Sequence, residues 1–129
     1  MKHYDPETAP NPEEWLKLDE RERIQLAERC HRKARVKIPS VEAHAIFHAI
    51  VENQIAEGHA PVARAMQRLA REGLSRHEAL HAIGSLVADY IYDVMNTNDR
   101  SLADTAQARY DAAVERITVK EWRRKYEEE

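Results

Sequence analysis

Hydrophobic positions recur every three or four residues over most of this chain, which is the repeat of helices that bury one face. Helix start signals precede these segments. Asn11 before Pro12 begins a short first helix, and Asp19 with Glu22 opens a second that runs to about residue 36. Residues 1–10 contain two prolines and mixed polarity, so we predict a flexible N-terminal arm there.

Five further helices are predicted along the rest of the chain. Each begins at a capping residue or a proline, and most end at a glycine or a polar break; the predicted bounds are about 41–57, 61–72, 76–96, 102–116 and 119–127. No alternating pattern of a β-strand competes with them. The sequence therefore predicts an all-α fold, in which residues 11–129 form a single-domain bundle of about five to seven helices.

Composition narrows the class of protein. Only three glycines occur in 129 residues, which favours helix over sheet. The 20 basic and 23 acidic residues nearly cancel, and this balance argues against a nucleic-acid partner. Cys30 is the only cysteine, so no intrachain disulfide can form. No run approaches the ~18 apolar residues of a membrane span. We expect a soluble cytoplasmic protein with no membrane partner.

Two pairs of histidines carry the chemistry of the sequence. His44 precedes His48 by four residues, and His77 precedes His81 by four in the string H-E-x-x-H. Residues four apart on a helix point the same way, one turn above the other. Each pair is therefore a two-nitrogen clamp, and imidazole nitrogen suits zinc, iron, copper or nickel.

Both pairs fall within apolar stripes when residues are placed on helical wheels. His44 and His48 share an arc with Phe47 and Val51, and His77 and His81 share one with neighbours such as Leu80, Gly84, Val87 and Ala88. A buried polar group without a partner costs about 1–3 kcal/mol. The imidazoles inside the fold therefore need either hydrogen-bond partners or a metal ion.

We predict a metal site between the third and fifth helices, with the four histidines as ligands. Glu52 lies one turn beyond His48 on the same arc, so Glu52 or Glu78 is predicted as an auxiliary ligand or as a hydrogen-bond acceptor behind a ligand. Four histidines suffice for a tetrahedral zinc site, whereas added carboxylates and open positions suit iron or manganese. Zinc is the preferred divalent ion, and iron is the alternative.

A different interpretation makes the histidines structural. They would then bond to Glu52, Glu78, Asp89 or tyrosine hydroxyls, and the protein would be a non-enzymatic interaction or regulatory module. Its partner would be a second copy of the chain or another protein. A third interpretation makes the histidines a pH sensor, because buried neutral imidazoles destabilise the fold when they take up protons.

Other catalytic interpretations have less support. H-E-x-x-H is also the zinc-protease motif, but Ser75 with Glu78 forms a capping box, and the chain has no strand to align a peptide. A nucleophilic Cys30 lacks an identifiable base, so a core position is favoured. His59, in the turn after the third helix, is favoured as a loop residue over a fifth ligand.

The segment from His44 to Gln54, together with the later His81-Ala-Ile-Gly, resembles a family of small bacterial helical proteins catalogued only as a domain of unknown function. The resemblance covers about residues 40–95. It implies an all-helical fold and marks four positions as shared with the family pattern: His44, His48, Gln54 and His81. The family's acid lies one residue nearer the glutamine than Glu52 does, so the resemblance does not support Glu52 as a ligand, and it implies no activity.

Overall fold

The fold was examined in a computed structural model that describes residues 1, 3–33, 41–96, 98, 100 and 104–127. These residues contain seven α-helices, and no strand occurs among them. The helices are α1 (Pro12–Lys17), α2 (Glu20–Lys33), α3 (Val41–Ala56), α4 (Ala60–Arg71), α5 (Arg76–Asn96), α6 (Ala106–Arg116) and α7 (Val119–Glu127). The predicted all-α single-domain bundle is confirmed.

Local capping chemistry explains several helix boundaries. The Asn11 side chain accepts from the backbone N–H of Glu14 at 3.1 Å, and Asp19 accepts from that of Glu22 at 2.8 Å. Gly58 and Gly73, after α3 and α4, have φ of +72° and +105°, which L side chains rarely adopt. The caps predicted at residues 40 and 101 and the predicted end of the second helix lie outside the described residues.

The third helix, α3, is the centre of the bundle. It packs against α1 and α2 on one side and against α5 on the other. Two hydrophobic clusters follow from this position. One contains Tyr4, Trp15, Leu26, Ala27, Ala45 and Ala49. The larger one joins α3 to α4, α5, α6 and α7 through residues such as Val51, Leu69, Leu80, Ile83 and Val114. The histidine-bearing faces of α3 and α5 meet between these packed regions.

The N-terminal segment, residues 3–10, contains no helix but lies against the bundle. Tyr4 is only 6% exposed, and its ring packs on Trp15 with centroids 5.6 Å apart. Farther along, Arg76 donates to the carbonyl of Pro6 at 2.9 Å. The predicted flexibility of residues 1–10 stays a prediction, while Tyr4 is a core residue.

The longest helix, α5, has 21 residues but carries many polar side chains. No helix in the described parts of the chain is long and apolar enough to cross a membrane.

Candidate metal centre

Four imidazoles, two from α3 and two from α5, converge on one point. His44, His48, His77 and His81, called here the histidine cluster, each offer a ring nitrogen within 4.8 Å of the others. Nε2 of His81 lies 2.9 Å from Nε2 of His44 and 3.1 Å from Nε2 of His48. The predicted meeting of the two i,i+4 pairs therefore occurs.

These separations suit one bound ion. Zinc–nitrogen bonds of about 2.0–2.1 Å place two ligand nitrogens of a tetrahedral ion about 3.3–3.4 Å apart. The two Nε2 contacts of 2.9 and 3.1 Å lie slightly below that spacing, and the limit of 4.8 Å that encloses all four nitrogens lies above it.

Hydrogen bonding between the rings cannot satisfy the cluster equally well. A neutral imidazole nitrogen carries either one proton or one lone pair, so it forms one linear hydrogen bond. The Nε2 of His81 lies within reach of two other Nε2 atoms at once. An ion at the centre can instead accept a lone pair from every ring.

Because the histidines are largely buried, positive charge on their rings is costly. His48 is only 2% exposed, and the other three histidines are half-buried. Protonated rings packed this closely would repel one another in a site of low dielectric constant. The cluster is therefore best suited to neutral imidazoles whose lone pairs face inward.

Glu52 does not join the grouped nitrogens. Its carboxylate is 1% exposed and is bound by the Arg76 guanidinium through two hydrogen bonds of 2.7 and 2.8 Å. It also accepts a hydrogen bond of 2.5 Å from the hydroxyl of Tyr4. The structure thus places Glu52 behind Tyr4 and against Arg76, and its predicted role as an auxiliary ligand or as an acceptor behind a ligand stays a prediction.

Tyr4 connects this carboxylate to the cluster. Its hydroxyl oxygen lies 3.3 Å from Nδ1 of His48. Burial and, after it, the negative charge of Glu52 raise the pKa of Tyr4 well above its ordinary value. The phenol therefore keeps its proton and donates a hydrogen bond to Glu52. The oxygen is then an acceptor for Nδ1–H of His48. This leaves the lone pair of His48 on Nε2, which faces the cluster.

Such an outer hydrogen bond is the usual way in which proteins orient a metal-binding histidine. Arg76 completes the arrangement because it neutralises Glu52, which would otherwise be a lone buried charge. We call Tyr4, Glu52 and Arg76 the polar side of the cluster.

Glu78, the glutamate of H-E-x-x-H, serves the helix start. One of its carboxylate oxygens accepts from the backbone N–H of Ser75 at 3.0 Å, and the Ser75 hydroxyl accepts from the N–H of Glu78 at 3.1 Å. The backbone hydrogen bond from Ser75 is the main cause that lowers the pKa of Glu78. The predicted capping box is formed, and the exposed Glu78 is not grouped with the four nitrogens.

The remaining sequence candidates lie elsewhere. His59 Nε2 contacts the Asp111 carboxylate at 2.8 Å, which connects the α3–α4 turn to α6. Cys30 is half-buried against the cluster of apolar residues around Trp15. Gln54, a position shared with the resembled family, accepts from the Tyr110 hydroxyl at 2.7 Å and so joins α3 to α6.

A cavity of about 300 Å³ adjoins the histidine cluster, and neither Glu52 nor Arg76 is among its lining residues. Three cluster members line it: His44, His48 and His81. Most of its other lining residues are apolar: Phe47, Leu80, Gly84, Ala88 and Trp122, with Ser85 in addition. We call this the cavity side.

Sequence reasoning missed Tyr4 and Arg76. Tyr4 falls in the predicted arm, and Arg76 follows a helix cap where a charged residue is ordinary. One signal was present, because Glu52 on an apolar stripe requires a cation or several donors once it is buried. The sequence does not indicate which of the 20 basic residues pairs with Glu52.

Comparison with known proteins adds no relatives: no protein-family model, curated protein or solved structure matches this chain. The resemblance drawn from residues 40–95 therefore stays a prediction.

Proposed function

We propose that this protein binds one divalent metal ion through the four histidines of the cluster, and that zinc is the preferred ion, with iron as the alternative. The observation that carries the proposal is the convergence of four imidazole nitrogens, within 4.8 Å of one another, from two neighbouring helices.

Two features support a metal over purely structural histidines. The first is that Nε2 of His81 meets two other Nε2 atoms, an arrangement that ordinary hydrogen bonds satisfy poorly. The second is the contact from Tyr4 to Nδ1 of His48, which turns the lone pair of His48 toward the shared centre. A metal ligand requires a lone pair on the nitrogen that faces the ion, and this contact leaves one on Nε2 of His48.

The composition of the cluster favours zinc. Iron and manganese sites in helical bundles usually include carboxylates, whereas Glu52 is bound to Arg76 and Glu78 caps α5. Four neutral nitrogens suit a tetrahedral zinc ion. The proposed setting is the cytoplasm of a bacterium, which agrees with a sequence that contains a single cysteine.

Metal analysis of protein purified without a histidine tag tests the proposal. We expect about one zinc ion per chain in the wild type and a ratio near zero in the His48→Ala/His81→Ala double variant. His59→Ala is the matched control, because it removes a histidine that is hydrogen-bonded to Asp111 and lies outside the cluster. A wild-type ratio far below one that zinc addition does not raise would refute the proposal.

A protein-interaction module is the second candidate. The observation that favours it is a group of exposed apolar residues near the end of α5, in which Tyr92 and Met95 are 67% and 78% exposed. This function predicts that a chelator leaves the melting temperature unchanged and that Met95→Lys abolishes self-association or capture of a partner. The metal proposal predicts instead that the chelator lowers the melting temperature.

A further inference from the structure

The histidine cluster has unequal surroundings, and the cavity side is open. Three of the four histidines line the cavity, whereas His77 does not. An ion held by all four therefore lies between His77 and the cavity. The direction from the ion into the cavity is the one along which a further ligand could approach.

The cavity has the chemistry of a binding site for an apolar molecule. Its lining residues within the described chain include no Asp, Glu, Lys or Arg, and the aromatic rings of Phe47 and Trp122 form part of its wall. The hydroxyl of Ser85 donates to the carbonyl of Ala82 at 2.6 Å, so its proton is already committed. Apart from the histidines, little is left to hydrogen-bond an occupant.

Small residues on α5 leave the space open. Gly84 and Ala88 lie one turn apart on the helix that carries His81. A Cβ atom at Gly84 would meet Cβ of Phe47 at 3.7 Å, an ordinary contact, so α3 and α5 do not require glycine there in order to pack. The volume of about 300 Å³ corresponds to about ten water molecules at about 30 Å³ each, which is enough for a small organic molecule.

We propose that this cavity admits a small, mostly apolar molecule that binds the metal ion through one lone-pair donor atom. The proposal rests on the proposed function, because it requires the ion. Zinc can expand from four to five ligands, so a fifth donor need not displace a histidine. The donor atom meets the ion, and the apolar remainder of the molecule contacts Phe47, Ala88 and Trp122.

A pair of probes separates the two parts of this proposal. The full-length protein is loaded with Co²⁺, whose visible absorption reports the number and type of its ligands. It is then titrated with imidazole and with 4-phenylimidazole. Both supply the same donor nitrogen, but only the second carries an apolar ring. We expect both to change the spectrum and 4-phenylimidazole to bind about 10- to 100-fold more tightly, as expected when a phenyl group is buried.

Variants of the wall then locate the effect. Ala88→Leu places a larger side chain in the cavity and is expected to reduce the preference for 4-phenylimidazole to less than about threefold. Ala108→Leu, at an exposed position of α6, is the matched control and should leave the preference unchanged. Trp122→Ala removes part of the wall without filling the cavity, so a reduced preference is expected there even if Ala88→Leu does not fold.

The outcomes are distinguishable. If the wild type gives no stoichiometric Co²⁺ spectrum, the metal site and the cavity proposal both fail. If Co²⁺ binds stoichiometrically but neither probe alters its spectrum, the metal site stands and the cavity proposal is overturned. Equal affinity for the two probes in the wild type, or an undiminished preference in Ala88→Leu, also overturns the cavity proposal.

Discussion

The two sides of the histidine cluster are built in opposite ways. On the polar side, Tyr4, Glu52 and Arg76 form a connected hydrogen-bond network in which a buried carboxylate is bound by three donor atoms. On the cavity side, the lining is largely apolar, and about 300 Å³ is left unfilled. One side orients the ring of His48 through Tyr4, and the other leaves space beside three of the four rings.

Each side costs stability for a different reason. Burial of Glu52 and Arg76 carries a desolvation penalty that their attraction only partly offsets. An unfilled cavity loses the dispersion contacts that side chains would have made across it. Packing alone therefore gives no reason for a buried ion pair and a cavity to adjoin the same histidines. Their coincidence at the four nitrogens is explained if one side positions the ligands of an ion and the other admits a molecule to it.

The largest expected effect comes from breaking the polar side. Arg76→Met leaves the Glu52 carboxylate, 1% exposed, without its cation. Removal of one partner from a buried ion pair typically costs about 3–5 kcal/mol, and we expect a loss of this size in the free energy of unfolding, measured with urea at pH 7.

Arg64→Met is the matched control for that loss. It removes an arginine from an exposed pair with Glu115, so only a small change is expected. Equal losses of unfolding free energy in the two variants would show that the buried pair of Glu52 and Arg76 contributes no more to stability than the exposed pair. Partial recovery of stability in the double variant Arg76→Met/Glu52→Leu would show instead that the unpaired charge causes the loss.

A smaller effect is expected when the polar side is disconnected from the cluster. Tyr4→Phe keeps the ring on Trp15 but removes the oxygen that contacts Nδ1 of His48. Loss of a partner that orients a metal-binding histidine typically lowers metal affinity 10- to 100-fold. We expect a decrease of this size in zinc affinity, measured by competition with a chromogenic chelator.

Tyr110→Phe is the control for Tyr4→Phe. Tyr110 is also buried and donates its hydroxyl to Gln54 at 2.7 Å, but it lies outside the polar side. We expect it to change the melting temperature and to leave the zinc affinity unchanged. If both variants weakened zinc binding equally, the effect would come from general loosening of the bundle.

The difference between the two sides also separates what the sequence predicts from what it does not. The helix bounds and the alignment of His44 with His48 on one helix face depend on local signals, namely caps such as Asn11 and the i,i+4 spacing. The contacts of Tyr4 with His48 and Glu52 join residues 44 and 48 positions apart. No local pattern encodes such a contact.

The cavity was unpredictable for a related reason. Helical periodicity identifies which residues face inward, but unfilled space depends on the distance between two packed helices and on the side chains that meet there. Gly84 and Ala88 share the arc of His77 and His81 in the sequence, and the structure places both in the wall of a cavity.

The smallest expected effect concerns Glu78, which belongs to neither side although it stands between His77 and His81 in the sequence. Its pKa is lowered, chiefly by the backbone hydrogen bond from Ser75, so the folded chain favours the ionised form. A lowered folded pKa adds stability above the unfolded pKa of about 4.3, and this contribution is lost as the pH falls through the folded value. We expect Glu78→Gln to lower the melting temperature slightly at pH 7 and to match the wild type near pH 3.

Zinc affinity in the same variant distinguishes a capping glutamate from a catalytic or ligating one. Because Glu78 is exposed and hydrogen-bonded to Ser75, Glu78→Gln should leave the zinc affinity at pH 7 unchanged. Glu57→Gln, which removes the charge of an exposed carboxylate just past the end of α3, is the control and should also leave the zinc affinity unchanged. A large fall in zinc affinity in Glu78→Gln would contradict the assignment of Glu78 as a capping residue. It would place this side chain at the ion, and all three residues of the H-E-x-x-H string, not only the two histidines, would then act on the metal.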